Sequence, residues 1–144
     1  MIQRIQSVWL FLSSFLAGSL FIFPLYHYNI AASATPLLMG AKNEFVLLLL
    51  ATLLSVVPLV ALFMFKNRKL QKRLIVLTLL LAGAFIAMML QIISSIKKEH
   101  PDLSNDNFAL PGPIIPIVVM VCLVMAYRGI SKDEALIRSA DRFR

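Results

Sequence analysis

Four apolar runs divide the chain, over residues 8–26, 45–65, 74–96 and 111–127. Each is close to the 20 or so residues that an α-helix needs to cross a hydrocarbon core about 30 Å thick. The pattern therefore predicts an all-α fold, an up-and-down bundle of four transmembrane helices with short loops, forming a single transmembrane domain over 1–144. Past the last run the pattern turns amphipathic. Ser131 with Glu134 reads as a capping box, and Glu134 with Arg138 as an i,i+4 pair. A short helix over about 131–143 is expected at the cytoplasmic surface, with Leu136, Ala140 and Phe143 on one face.

The runs differ in their interruptions. Ala32-Ser33-Ala34 resembles a signal-peptide cleavage site, but the first apolar run is longer than the 7–15 residues of a signal core, so a retained first helix is expected. Trp9 at one end and Tyr26 and Tyr28 at the other suit the two membrane interfaces. Pro24 falls near the outer end, where a kink or a helix end is tolerable. Small residues spaced by four, Ser14 with Gly18, Ser13 with Ala17 and Gly83 with Ala87, would allow a neighbouring helix to approach closely. Pro58 lacks an N–H inside the second run, so a bend one turn earlier is expected there, with Thr52 and Ser55 back-bonding to freed carbonyls. Gln91 is the most polar side chain deep in any run, and an amide in lipid seeks a hydrogen bond, so it should face another helix. The prolines at 111, 113 and 116 place the start of the last helix near Pro113 or Pro116, with a re-entrant entry over 110–116 as the alternative.

Composition agrees with the pattern: 60% of residues are hydrophobic, 15% are charged, and the mean hydropathy is +0.85. A water-covered surface is hard to build from such residues. The net charge of +7 lies mostly in short segments beside the apolar runs, and no nucleic-acid-binding module is recognisable, so membrane lipids rather than nucleic acid are the expected partner. Residues 1–7, 66–73 and 128–144 hold 11 of the 14 Lys and Arg, for a net charge of +8. The intervening segments carry −1. This bias places the first set in the cytoplasm and predicts a multi-pass membrane protein with both termini cytoplasmic. The lone Cys122, within an apolar run, excludes an intramolecular disulfide.

Little of the sequence points to chemistry. No carboxylate or histidine falls in the middle of a run, which argues against proton-coupled transport and a charged channel filter. The phosphate-binding G-x-x-x-x-G-K-[ST], the zincin H-E-x-x-H and the hydrolase G-x-S-x-G patterns are absent. His27, His100, Glu44 and Glu99 belong to the external segments 27–44 and 97–110, and only convergence around a cleft would make them a metal or acid–base site. No catalytic residue, metal site or cofactor is expected. The leading expectation is a non-enzymatic accessory subunit or assembly factor of a larger inner-membrane complex, joined to other inner-membrane proteins or to copies of itself. The alternative is a small-molecule or lipid binder or transporter acting as an oligomer, with Gln91, Pro58 and the 110–116 entry lining one cavity.

The opening M-I-Q-R-I-Q and the closing R-S-A-D-R-F-R, with the apolar pattern between them, resemble a family of small uncharacterised four-span inner-membrane proteins of Bacteroidota. The resemblance covers the full length and marks Gln3, Arg4, Gln6, Arg138, Ser139, Asp141, Arg142 and Arg144. It implies that Arg4, Arg138, Asp141, Arg142 and Arg144 form a cytoplasmic docking surface. It carries over no catalytic residue. Phe143 stands where Leu is commoner in the family pattern. Reporter fusions after Lys69 and after Asp106 are expected to report opposite compartments, and finding both in one would overturn the charge-based placement.

Overall fold

The computed structural model describes residues 3–28, 37–40, 44–64, 67–99, 107–108 and 112–141. Four helices form the body: α1 (Gln3–Ser19), α2 (Phe45–Phe63), α3 (Arg68–Glu99) and α4 (Ile114–Asp141). They pack in a closed ring, α1 between α4 and α2, and α3 closing against α2 and α4. Phe85, Leu10, Leu20, Leu47, Leu54, Val119 and Leu123 fill the centre with little or no exposure.

The expected four-span, all-α architecture is corrected on two counts. Among the described residues three helices are long and apolar enough to cross a membrane: α2, Arg68–Ser95 of α3 and Ile114–Leu136 of α4. They make the protein membrane-associated. The first helix, with 17 residues and about 26 Å of rise, is not among them. It ends at Ser19 because the chain then tightens: Leu20 N–H donates to Ala17 O, Phe21 N–H to Gly18 O and Ile22 N–H to Ser19 O. Pro24 follows, which lacks an N–H and disfavours helical backbone at Phe23.

The second count is a small antiparallel sheet where connecting loops and a helix end are expected. It consists of β1 (Pro24–Tyr28), β2 (Leu37–Gly40) and β3 (Asn107–Phe108), in the order β2-β1-β3. His27 pairs with Leu38 on one side and Asn107 on the other. Pro24 opens the central strand, and an irregularity in the pairing follows at once, between Pro24 and Tyr26. The sheet thus ties the chain after α1 to the segment between α3 and α4.

Helix boundaries also shift inward on the polar segments. The basic stretch is largely the first turns of α3: Asn67 caps it, its Oδ1 accepting Leu70 N–H at 3.3 Å. Lys, Arg, Gln and Leu are good helix formers, so nothing stops the helix once capped. In α4, Gly112 and Pro113 form a turn and the helix begins at Ile114, close to the expected start; Leu110 and Pro111 lie outside the described residues. From there it runs unbroken to Asp141, so the separate helix expected over 131–143 is its continuation and Ser131 is no cap.

Pro58 is buried inside α2 without ending it. The Thr52 hydroxyl donates to Leu48 O and Leu49 O and the Ser55 hydroxyl to Thr52 O, so neither serves the Leu54 carbonyl that the proline leaves without its donor. The loosened turn is used across the seam instead: Ser14 Oγ of α1 donates to Ser55 O at 2.6 Å. Such an interhelical bond in lipid contributes about 0.6–2 kcal/mol.

Gly18 and Gly83 are not points of close helix approach, since a Cβ built on either meets nothing within 4 Å. Gly83→Ala is therefore expected to raise the stability of the detergent-solubilised protein, by up to about 1 kcal/mol from helix propensity. A fall in thermal midpoint for this variant would show the position to be packed.

Candidate functional site

The most structured polar site lies where the start of α1, the start of α3 and the last third of α4 meet. We call this the basic end. Two faces of α4 serve it. Gly129 and Asp133, one turn apart, share the face toward α1. Tyr127 and Glu134, two turns apart, share the face toward α3.

On the first face the Gln6 amide donates to Asp133 Oδ2. Both side chains are buried, at 7% and 8% exposure. Gly129 makes room for the contact: a Cβ there would stand 2.9 Å from Gln6 Cγ. No real Cβ is tolerated at that distance unless Gln6 moves, and Gln6 is held by the carboxylate. The second carboxylate oxygen, Oδ1, is buried with no hydrogen-bond partner among the described residues. A hydrogen bond to a charged group contributes about 1.5–3 kcal/mol, so this link is the strongest single polar tie between α1 and α4.

On the second face Lys72 of α3 forms an ion pair with Glu134, both partly buried. The Lys72 ammonium also lies 5.8 Å from the centre of the Tyr127 ring. Partial exposure screens this pair, and its contribution is at most about 1 kcal/mol. Gln71 is buried at the same end. Below this level the α3–α4 seam opens into an apolar cavity of about 140 Å³, lined by Ile75, Val76, Leu79, Leu123, Val124 and Tyr127.

The residues singled out in the sequence lie elsewhere. Gln91 is exposed on α3, far from the basic end, and the hydroxyls of Ser94 and Ser95 donate to its backbone carbonyl. It does not turn into the bundle as its burial cost suggests, while Pro58 is buried within α2. Arg4 belongs to the first turn of α1, and Arg138 and Asp141 to the last turns of α4; their side chains lie outside the described residues, as do Arg142 and Arg144 altogether. Of the other positions marked by the family resemblance, Gln6 is a buried helix-to-helix link rather than a docking residue, and Ser139 is exposed, its hydroxyl donating to Leu136 O. His27 contributes backbone pairing to β1, Glu44 is exposed at the start of α2, Glu99 ends α3, and His100 lies outside the described residues. Among the described residues no three His, Cys, Asp or Glu side chains gather to hold a metal.

With this geometry in view, comparison with known proteins gives a family. The model of the Domain of unknown function (DUF4293) matches residues 2–143. The chain belongs to that family. No curated protein matches the sequence, and no solved structure matches the fold.

Gly129 and Asp133 are the residues that reading the sequence for sites missed, and Gln6 is marked there only through the family resemblance. The signal available was a glycine in a helix pattern with no other breaker, one turn before a carboxylate. Gln6→Leu leaves the Asp133 carboxylate buried without a donor and is expected to destabilise the solubilised bundle by about 1–3 kcal/mol. Adding Asp133→Leu to it should recover most of that loss, since replacing both partners of a buried pair is close to neutral. Thermal unfolding of the two variants checks both, and full additivity of the single changes would count against a direct link.

Proposed function

We propose that the protein is a non-enzymatic accessory subunit or assembly factor of a larger complex in the bacterial inner membrane. Its basic end would face the cytoplasm, as the charge bias of the 66–73 segment favours. The observation that carries this reading is the outer face of α1. That helix is not among the three described helices long and apolar enough to cross a membrane, yet Val8, Phe11, Leu12 and Phe15 form an exposed apolar stripe along it, with Phe11 and Phe15 at 61% and 70% exposure. The spacing of these residues places them on one side of the helix. Large aromatics fixed on a rigid element suit a helix of another chain, which binds through packing and small local gains rather than chemistry. The buried polar groups at the basic end fit the same reading. They join helices to each other and leave the outer surface for contacts.

The test uses the full chain tagged at its native level and gently extracted from native membranes. A partner, another membrane protein or a second copy of this chain, is expected in stoichiometric yield. Phe11→Ala with Phe15→Ala should reduce that yield by about tenfold or more, the scale of losing an aromatic anchor. Repeated isolation of the chain alone, or a partner indifferent to the double substitution, would overturn the proposal.

A further inference from the structure

We propose that the α3–α4 seam is a binding site for one anionic phospholipid, an acyl chain filling the apolar cavity and the phosphate resting on the cations of the basic end. This is independent of the accessory-subunit reading, which concerns the outer face of α1.

Three observations meet here. The seam is the loosest of the four in the ring, and its cavity is lined by apolar surface only. At about 140 Å³ it is close to the roughly 150 Å³ apolar cavity that stays dry and accepts benzene, so it takes a segment of about six carbons. The cavity is also open to the outside, since Val76 and Val124 of its lining are exposed. A chain can therefore enter from the side.

Depth is the second observation. Ile75 and Val76 follow Lys72 by about one turn and Leu79 by about two, so the cavity extends to about 10 Å from the ammonium along α3. That is the relation between the upper part of an acyl chain and its headgroup. Tyr127 stands between the two levels: its ring lines the cavity and faces the Lys72 ammonium. An amphipathic ring at this boundary matches a membrane interface.

Charge decides the headgroup. Lys69 and Arg73 on α3 and Arg128 and Lys132 on α4 are exposed at the basic end, which also carries Lys72 and Arg68. Among the described side chains two carboxylates lie at this end, Asp133 accepting a hydrogen bond from Gln6 and Glu134 paired with Lys72. The surplus of cations favours an anionic lipid over a zwitterionic one, each cation near the surface being worth about fivefold in binding.

The experiment places the purified full chain in micelles holding equal phosphatidylglycerol and phosphatidylethanolamine with the same acyl chains, and reads bound lipid by native mass spectrometry. One phosphatidylglycerol per chain is expected, favoured over phosphatidylethanolamine by at least about tenfold. Val76→Phe with Val124→Phe fills the cavity from its outer wall and should lower the bound fraction about tenfold for both lipids. Arg73→Gln and Arg128→Gln should each lower the preference for the anionic lipid about fivefold. Equal retention of the two lipids, an unchanged bound fraction in the filled variant, or a lipid-free dimer with a second copy on this seam would overturn the proposal. Should the filled variant not fold, Tyr127→Trp in a Trp9→Phe background gives a second reading. Its fluorescence should be quenched more by phosphatidylglycerol with brominated chains than by the matching phosphatidylethanolamine, and equal quenching would overturn the assignment.

Discussion

Helices in lipid gain little by hiding apolar side chains from one another, because the acyl chains outside are as apolar as leucine. Register and neighbour choice then rest on a few polar contacts and on places where backbones can come close. In this chain both devices fall together at the basic end, where Gln6 lies across Gly129 to reach Asp133. That contact fixes the start of α1 against the last third of α4. Ser14 and Ser55 fix α1 about two turns further on against α2. With α1 held at two levels, its short length ceases to be a weakness, because it need not cross the bilayer unaided to keep its place in the ring. Lys72 and Glu134 close the ring on the far side, between α3 and α4.

The parts of the fold that the sequence discloses are those set by composition over many residues. The runs behind α2, α3 and α4 are long and nearly unbroken, and each becomes a helix fit to cross a membrane. The first run is the least apolar of the four, broken by Ser13, Ser14, Gly18 and Ser19, and Pro24 follows them. Pro24 reads as a tolerable interruption at the outer end, but the chain tightens from Leu20 onward and re-emerges as a strand. That strand pairs with Leu37–Gly40 and with Asn107–Phe108, the latter some 80 residues away, and no local pattern announces such a partner. The basic segment shows a different limit. Charge reports where a segment sits relative to lipid, not the conformation of its backbone, so Arg68–Arg73 is helical although it cannot lie in hydrocarbon.

The site was less legible than the fold, for a related reason. Gln91 draws attention because a polar side chain in an apolar run needs a partner, but the argument applies only if the bundle encloses it, and it is exposed. Gln6 has the same chemistry near the end of a helix, where cost is lower and only the family resemblance marks it, yet it is the one that is buried and bonded. Glycine behaves in parallel. Spacing by four shows that close approach is permitted, as at Gly18 and Gly83, but only the opposing side chain makes it happen, as at Gly129.

The placement of Asp133 along α4 accounts for how such a carboxylate is tolerated. From Ile114 to Asp133 the helix rises about 28 Å, close to the thickness of the hydrocarbon. If the first turn of α4 sits at one boundary, Asp133 arrives at the other. There, desolvation is milder than at the bilayer centre, where a charge is most costly. One oxygen bonded to Gln6 and one without a donor among the described residues would be hard to sustain in mid-membrane, but is sustainable beside the Lys and Arg of α3 and α4. The same arithmetic puts Lys72, paired with Glu134, at that boundary and Tyr127 about 9 Å inside it, with the apolar cavity below. The polar clasp and the open seam are therefore two consequences of one geometry: α3 and α4 are longer than the hydrocarbon is thick, so their polar contacts are made at its edge. Those contacts hold the helices together there and leave the seam below them slack.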